Sequence, residues 1–187
     1  RGTIRAVNGT DKENRTVNLV KLDDYLRGVV PRESPASWAD LAGGAGMNAL
    51  RAQAVAARSY SLGQKRYSYA KTCDTQSCQV YGGAATRAAP KGLVRSVEHS
   101  ATDAAIADTA GVVRRWAAGH QNAGAIVATE FSASNGPRTA GGAFPPVDDE
   151  LGDRTAGNSN HRWTRVFDAE TLADRFGLRL AQKLRDR

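Results

Sequence analysis

Aromatic residues make up only 6% of the 187-residue chain, methionine occurs once and cysteine twice. Long apolar runs are missing: stretches such as 125–128 cover a few residues, whereas a bilayer span needs about 20. No segment is expected to cross a membrane. Two thiolates cannot complete a zinc site, and His99, His120 and His161 stand at no recognised ligand spacing from Cys73 and Cys78, so no metal is expected. The pair is also too widely spaced for Cys-x-x-Cys redox chemistry. A local disulfide that pins a loop is favoured over two free thiols, and it implies an oxidising compartment outside the cytoplasm. A glycine-rich phosphate loop and a Gly-x-Ser-x-Gly elbow are both missing. Nucleotide hydrolysis and serine-hydrolase chemistry therefore find no support.

What is present fits an ordinary globular domain: 41% hydrophobic and 24% charged residues, in a length that buries about 70% of its unfolded surface. One domain over residues 1–187 is expected, and the start at Arg1 reads as a mature or trimmed fragment. Lys and Arg number 26 against 19 Asp and Glu, a net charge of +7. The excess is uneven, since residues 47–71 hold Arg51, Arg58, Lys65, Arg66 and Lys71 without an acid. Taken singly, each reads as part of a solvated helix face. Together they would attract nucleic-acid phosphate and an anionic wall polymer equally. With no recognition motif and no aromatic stacking platform, nucleic acid is not an expected partner.

Alternation over residues 3–7 and 16–20, around Asn8-Gly9, predicts two strands joined by a turn. Leu22, Leu26 and Val29 then form one helical stripe with Asp23 and Asp24 in the first turn, and Pro31 is expected to end that helix at Val30. A second helix is expected over 47–63, with Leu50, Ala54, Ala57 and Ser61 as a stripe of mostly small residues. Residues 64–92 read as an irregular loop held by the cysteines, and such a long loop is usually functional. A helix over 94–108, strands over 112–116 and 125–131, a loop over 137–160 and a last helix from Asp168 to Phe176 complete an α+β fold.

Among the acids, Glu33 stands out because it follows Val29-Val30-Pro31 and precedes Pro35 and Trp38, partly apolar surroundings that suit a general acid. From the local sequence alone, an exposed loop glutamate beside Arg32 is the favoured reading. The blocks around it are informative. Leu22-Asp23-Asp24-Tyr25-Leu26-Arg27-Gly28-Val29-Val30-Pro31-Arg32-Glu33 and Ala49-Leu50-Arg51-Ala52-Gln53-Ala54-Val55-Ala56-Ala57-Arg58-Ser59-Tyr60 resemble the two signature blocks of the SpoIID/LytB domain family. Asp74-Thr75, Cys78-Gln79-Val80-Tyr81, Thr109-Ala110-Gly111-Val112-Val113 and Glu130-Phe131-Ser132-Ala133-Ser134-Asn135-Gly136 follow in the family's order, so the resemblance covers most of residues 19–136.

The resemblance implies an exported, extracytoplasmic cell-wall protein that acts on the glycan strands of peptidoglycan through a cleft. Some members are lytic transglycosylases that cleave between N-acetylmuramic acid and N-acetylglucosamine with Glu33 as the matching catalytic acid. It also implies that Gln53, Arg58, Tyr60, Gln79, Tyr81, Ser132, Ser134 and Asn135 contact substrate. One acid suffices for that reaction, because the muramic 6-hydroxyl closes a 1,6-anhydro ring, whereas hydrolysis normally needs two carboxyls. No cofactor is implied. Some relatives carry a Cys/His metal site, but Cys73 and Cys78 have no adjacent His. LytB-type members resemble accessory factors of cell-wall amidases, so a non-catalytic peptidoglycan-binding amidase enhancer is the alternative. Pro31, Ser34 and the glycine-rich stretch 41–46 depart from the common pattern. The three histidines are expected in structural roles, Trp38, Trp116 and Trp163 in packing, and Asp148, Asp149, Glu150 and Asp153 in a solvated acidic loop.

Overall fold

The computed structural model describes residues 1–8, 13–155 and 157–177. Helices and short antiparallel strands make an α+β fold, and the chain divides into two compact units, Arg1–Phe131 and Ser132–Arg187. Among the described residues no helix is long and apolar enough to cross a membrane.

The first unit opens with the expected hairpin. Strand β1 (Thr3–Asn8) pairs antiparallel with β2 (Asn14–Leu19), Thr3 facing Leu19 and Asn8 facing Asn14. Helix α1 (Leu22–Glu33) follows, with Asp23 and Asp24 placed to favour its dipole. Contrary to expectation it does not stop before Pro31, which lies inside its last turn, and it closes where the Ser34 N–H bonds the Val30 carbonyl at 2.9 Å. The proline forfeits one backbone donor, but Leu26, Val29 and Val30 are fully buried, each contributing about 1.5–3 kcal/mol, and this outweighs the local penalty. Glu33 is therefore the last residue of a helix and not a loop residue.

Ala36–Gly44, 3₁₀ in character but broken by non-helical backbone at Leu41, Ala42 and Gly43, leads to helix α2 (Met47–Gly63), which has the bounds its stripe predicts. Leu50, Ala54 and Ala57 are fully buried and Ser61 nearly so. Ala54 and Ala57 join Tyr25, Leu26, Val29, Val30 and Ile106 in the main core, their small side chains letting α1 lie close.

Residues 64–84 contain no helix or strand. The expected helix over 94–108 is shorter than its pattern. Val94–Ser96 instead forms strand β4, paired with β3 (Ala85–Arg87), and helix α3 spans Ser100–Asp108. His99 caps α3, its Nδ1 accepting from the Ala101 N–H at 3.2 Å. The strands expected over 112–116 and 125–131 reduce to one antiparallel bridge between Arg115 and Ile126. Beside that bridge the chain bonds to α2: the Arg114 N–H donates to Ser59 Oγ at 2.9 Å, and the Thr129 side-chain hydroxyl donates to the Ala56 carbonyl at 2.7 Å.

In the second unit, an isolated bridge joins Arg138 to Asp148, and a short helix, α4 (Glu150–Asp153), interrupts the expected loop. Helix α5 (Ala169–Phe176) has the predicted ends: Asp168 accepts from the Thr171 N–H at 2.7 Å, and Gly177 takes the left-handed conformation at φ 64°. Asp153 is buried and paired with His161 at 2.7 Å, so it is no part of a solvated acidic loop.

Gly28, on the buried side of α1, is where the chain at 81–83 comes closest. A Cβ there would lie 2.7 Å from Tyr81 Cε2 and 2.9 Å from the Gly83 carbonyl oxygen. On an open helix face Gly→Ala gains about 1 kcal/mol. Here we expect Gly28→Ala to cost about 1–3 kcal/mol through overpacking, read as a lower urea midpoint at unchanged slope. An equal or higher midpoint would show that 81–83 does not rest on α1.

Candidate functional site

Glu33 is half-buried at the C-terminal end of α1, where its Oε1 accepts a hydrogen bond from the Val80 backbone N–H at 2.8 Å. Among the described residues no hydrogen bond engages its second oxygen. Val80 is positioned by its neighbours. Gln79 is fully buried, and its side chain bridges two helices: Oε1 accepts from the Tyr25 hydroxyl at 3.1 Å and Nε2 donates to the Ala57 carbonyl at 3.4 Å. Tyr81 stacks on Tyr25, ring centroids 5.1 Å apart, and its hydroxyl accepts from Asn18 Nδ2 at 3.2 Å. The Gly82 N–H then bonds the Gly28 carbonyl at 3.0 Å. Four consecutive residues of an irregular segment are thereby docked onto α1, α2 and β2, and the carboxylate is one of the docking points.

Burial above all pushes the Tyr25 phenol well above the usual tyrosine range, the nearby Thr72 hydroxyl opposing and Tyr60, Glu33 and Tyr81 adding to the rise. Tyr25 therefore stays a hydrogen-bond donor to Gln79 at neutral pH. Burial likewise raises Tyr81, with the Asn18 hydrogen bond opposing. Both rings line a groove of about 940 Å³ between β2 and the loop carrying Tyr69, Lys71, Cys73 and Asp74. Glu33 does not line this groove; it sits behind it, reached through Val80 and Tyr25.

The structure brings Glu33, Gln79 and Tyr81 together through the 79–82 segment. Tyr60 packs edge-on against Phe131, centroids 6.2 Å apart. Gln53 holds a buried Nε2 with no hydrogen-bond partner among the described residues. Arg58 is only 1% exposed. Its guanidinium donates to the Ile106 and Val112 carbonyls at 3.1 and 3.3 Å and to Thr109 Oγ1 at 3.3 Å, and Asp23 lies at 3.7 Å. Burial pushes this guanidinium below its usual range, Asp23 opposing. The solvated-face reading of Arg58 is thus replaced by an interior role that ties α2 to the end of α3. Ser132, Ser134 and Asn135 belong to the second unit. There Ser132 Oγ donates to Asn135 Oδ1 at 2.7 Å, and Ser134 Oγ accepts from Asn158 Nδ2 at 3.1 Å.

Sequence reasoning passed over Tyr25, Asn18 and the Val80 amide. Tyr25 stands inside the first signature block on the helix face opposite to solvent, a readable signal. A backbone amide leaves no side-chain signature at all. Cys73 and Cys78 form the expected disulfide, with Cα atoms 5.7 Å apart. Because the two sulfurs are bonded to each other, the pair does not fit the Cys/His metal site of some relatives. No group of three or more His, Cys, Asp or Glu among the described residues is arranged to hold a metal ion.

A family model described as Stage II sporulation protein, SpoIID, matches residues 10–116, more than half of the chain, and the chain belongs to that family. A curated relative, an amidase enhancer of Bacillus subtilis (strain 168), is 33% identical over 114 residues, which is 61% of this chain. The match spans 12% of that relative's length. No solved structure matches the chain significantly.

The Tyr25–Gln79 bond joins two buried polar groups, so its loss leaves an unpaired acceptor. We expect Tyr25→Phe to lower stability by about 1–3 kcal/mol in urea denaturation. We also expect a double-mutant cycle with Gln79→Leu to give a coupling of at least about 0.5 kcal/mol. Strictly additive losses would show that the two side chains do not communicate.

Proposed function

We propose that the chain acts outside the cytoplasm on the glycan strands of bacterial peptidoglycan, as a lytic transglycosylase with Glu33 as its single acid/base. The observation that carries this is the fixed carboxylate. One oxygen of Glu33 is held by the Val80 amide, no hydrogen bond among the described residues engages the other, and Tyr25 and Tyr81 line a groove that Glu33 itself does not line. In the first step the carboxyl protonates the glycosidic oxygen as the bond to the muramic C1 breaks. In the second it accepts the proton of the muramic 6-hydroxyl as that oxygen closes onto C1, which returns the acid and leaves a 1,6-anhydro end. No second carboxyl is required, in contrast to hydrolysis. Family membership supports the reading, since the matched residues 10–116 include Glu33.

Within the same proposal, Gln53, Tyr60 and Tyr81 are sugar contacts of the first unit, and the fully buried Gln79 acts as a support behind them. Ser132, Ser134 and Asn135 are proposed as sugar contacts of the second unit, and Arg58 as an internal support. The name of the Bacillus relative favours a second reading, in which the chain binds peptidoglycan and assists a cell-wall amidase without turnover.

The test is incubation with purified glycan strands, with and without stem peptides, followed by mass spectrometry for 1,6-anhydromuramyl ends. We expect the wild type to generate them and Glu33→Gln to lose at least about 100-fold in rate, the usual scale of general acid–base catalysis. Full activity in Glu33→Gln removes Glu33 from the chemistry. Glycan binding without anhydro ends, combined with stimulation of an amidase, selects the second reading.

A further inference from the structure

We infer that the Cys73–Cys78 disulfide is a redox-sensitive positioning device for Glu33, so that a dithiol reductant switches the site off; this rests on the acid/base reading above. The inference begins with chain order. Cys78 immediately precedes Gln79, Val80, Tyr81 and Gly82, the four residues docked onto α1, α2 and β2, and Val80 supplies the N–H that fixes the Glu33 carboxylate. From the end of α2 to Cys78 the chain has no helix or strand to anchor it. Its backbone hydrogen bonds there are local: Arg66 N–H to the Lys71 carbonyl at 3.1 Å, Tyr67 N–H to the Ala70 carbonyl at 3.1 Å, and Cys78 N–H to the Thr75 carbonyl at 3.0 Å. The covalent bridge ties Cys78, directly before Gln79, to Cys73, whose neighbour Thr72 reaches the Tyr25 hydroxyl on α1.

The bridge also has the right location to be reached. Cys73, Asp74 and Thr75 line the groove, and Cys78 is only half-buried. A thiolate of a dithiol reductant attacks one sulfur, forming a mixed disulfide and releasing the other cysteine as a thiolate. The second thiol of the reductant then displaces the first cysteine. The protein gains two electrons and two protons as two thiols, and the reductant leaves as its own disulfide. Opening the ring frees residues 73–78, the Cys73 N–H loses its 3.2 Å bond to Cys78 Sγ, and the restraint next to Gln79 disappears. The helices do not depend on the bridge, since the core of Leu26, Val29, Val30, Ala54 and Ala57 lies within α1 and α2.

The test compares the oxidised protein, the dithiothreitol-reduced protein and the Cys73→Ser/Cys78→Ser double variant by amide hydrogen exchange, and measures turnover on glycan strands in parallel. We expect opening the bridge to speed exchange at Val80 at least tenfold while amides of Leu26 and Ala57 keep their protection. Turnover should fall at least tenfold, in kcat more than in KM, and reoxidation should restore it. Unchanged Val80 protection overturns the inference, and so does loss of protection throughout α1 and α2, which would make the bridge a support of the whole fold. If Val80 responds as expected but the oxidised protein makes no anhydro ends, the bridge still positions the carboxylate and the catalytic reading is the one that fails.

Discussion

The close approach of α1 to α2 is the constraint on which the first unit depends. Ala54 and Ala57 on one helix meet Leu26, Val29 and Val30 on the other, and Gly28 leaves the opposite flank of α1 bare enough for the 81–83 segment to lie against it. With larger side chains at these positions the helices would stand further apart and Gln79 could not span from the Tyr25 hydroxyl to the Ala57 carbonyl. Small residues are thus as much a part of the site as its polar ones. They set a spacing that one glutamine side chain can bridge.

That spacing explains how an irregular segment behaves as a rigid one. Residues 79–82 have no ladder partner, yet a buried amide, a backbone N–H, a stacked ring and a second N–H fasten them in succession. Buried polar groups that are fully satisfied specify one arrangement, because every alternative leaves a donor or acceptor unpaired. The same docking holds the Glu33 carboxylate, through the Val80 N–H. The same arrangement suits either a catalyst or a binding module.

Much of the helical framework was legible because its periodicity is strong: α2 and α5 have the ends their stripes and caps predict, and the Leu22–Leu26–Val29 face is the buried one. Where local rules misled, a tertiary partner had intervened. Pro31 should end a helix, yet burial of Val30 carries α1 through to Glu33. Residues 112–116 and 125–131 alternate like strands, yet the Arg114 N–H goes to the Ser59 hydroxyl on α2 and not to a strand partner. Val94 begins a helical pattern, yet its neighbours pair with Ala85–Arg87 first. Glu33 was visible as a residue type in a recognisable block, whereas its anchor was not, being a main-chain group 47 positions away. Asp153 and His161 show the same limit, an acid within a polar stretch being buried by a partner eight residues on.

Arg58 has a consequence of its own for how the first unit moves. The last carbonyls of a helix ordinarily turn to water or to a terminal glycine. In α3, Ile106 gives its carbonyl to a guanidinium rooted on another helix, and the same cation gathers Thr109 and Val112 from the chain that follows. The cap and its owner belong to different elements, so a tilt or slide of α3 away from α2 breaks the Arg58–Ile106 hydrogen bond. The two helices form a single lever whose pivot is an arginine shut away from solvent.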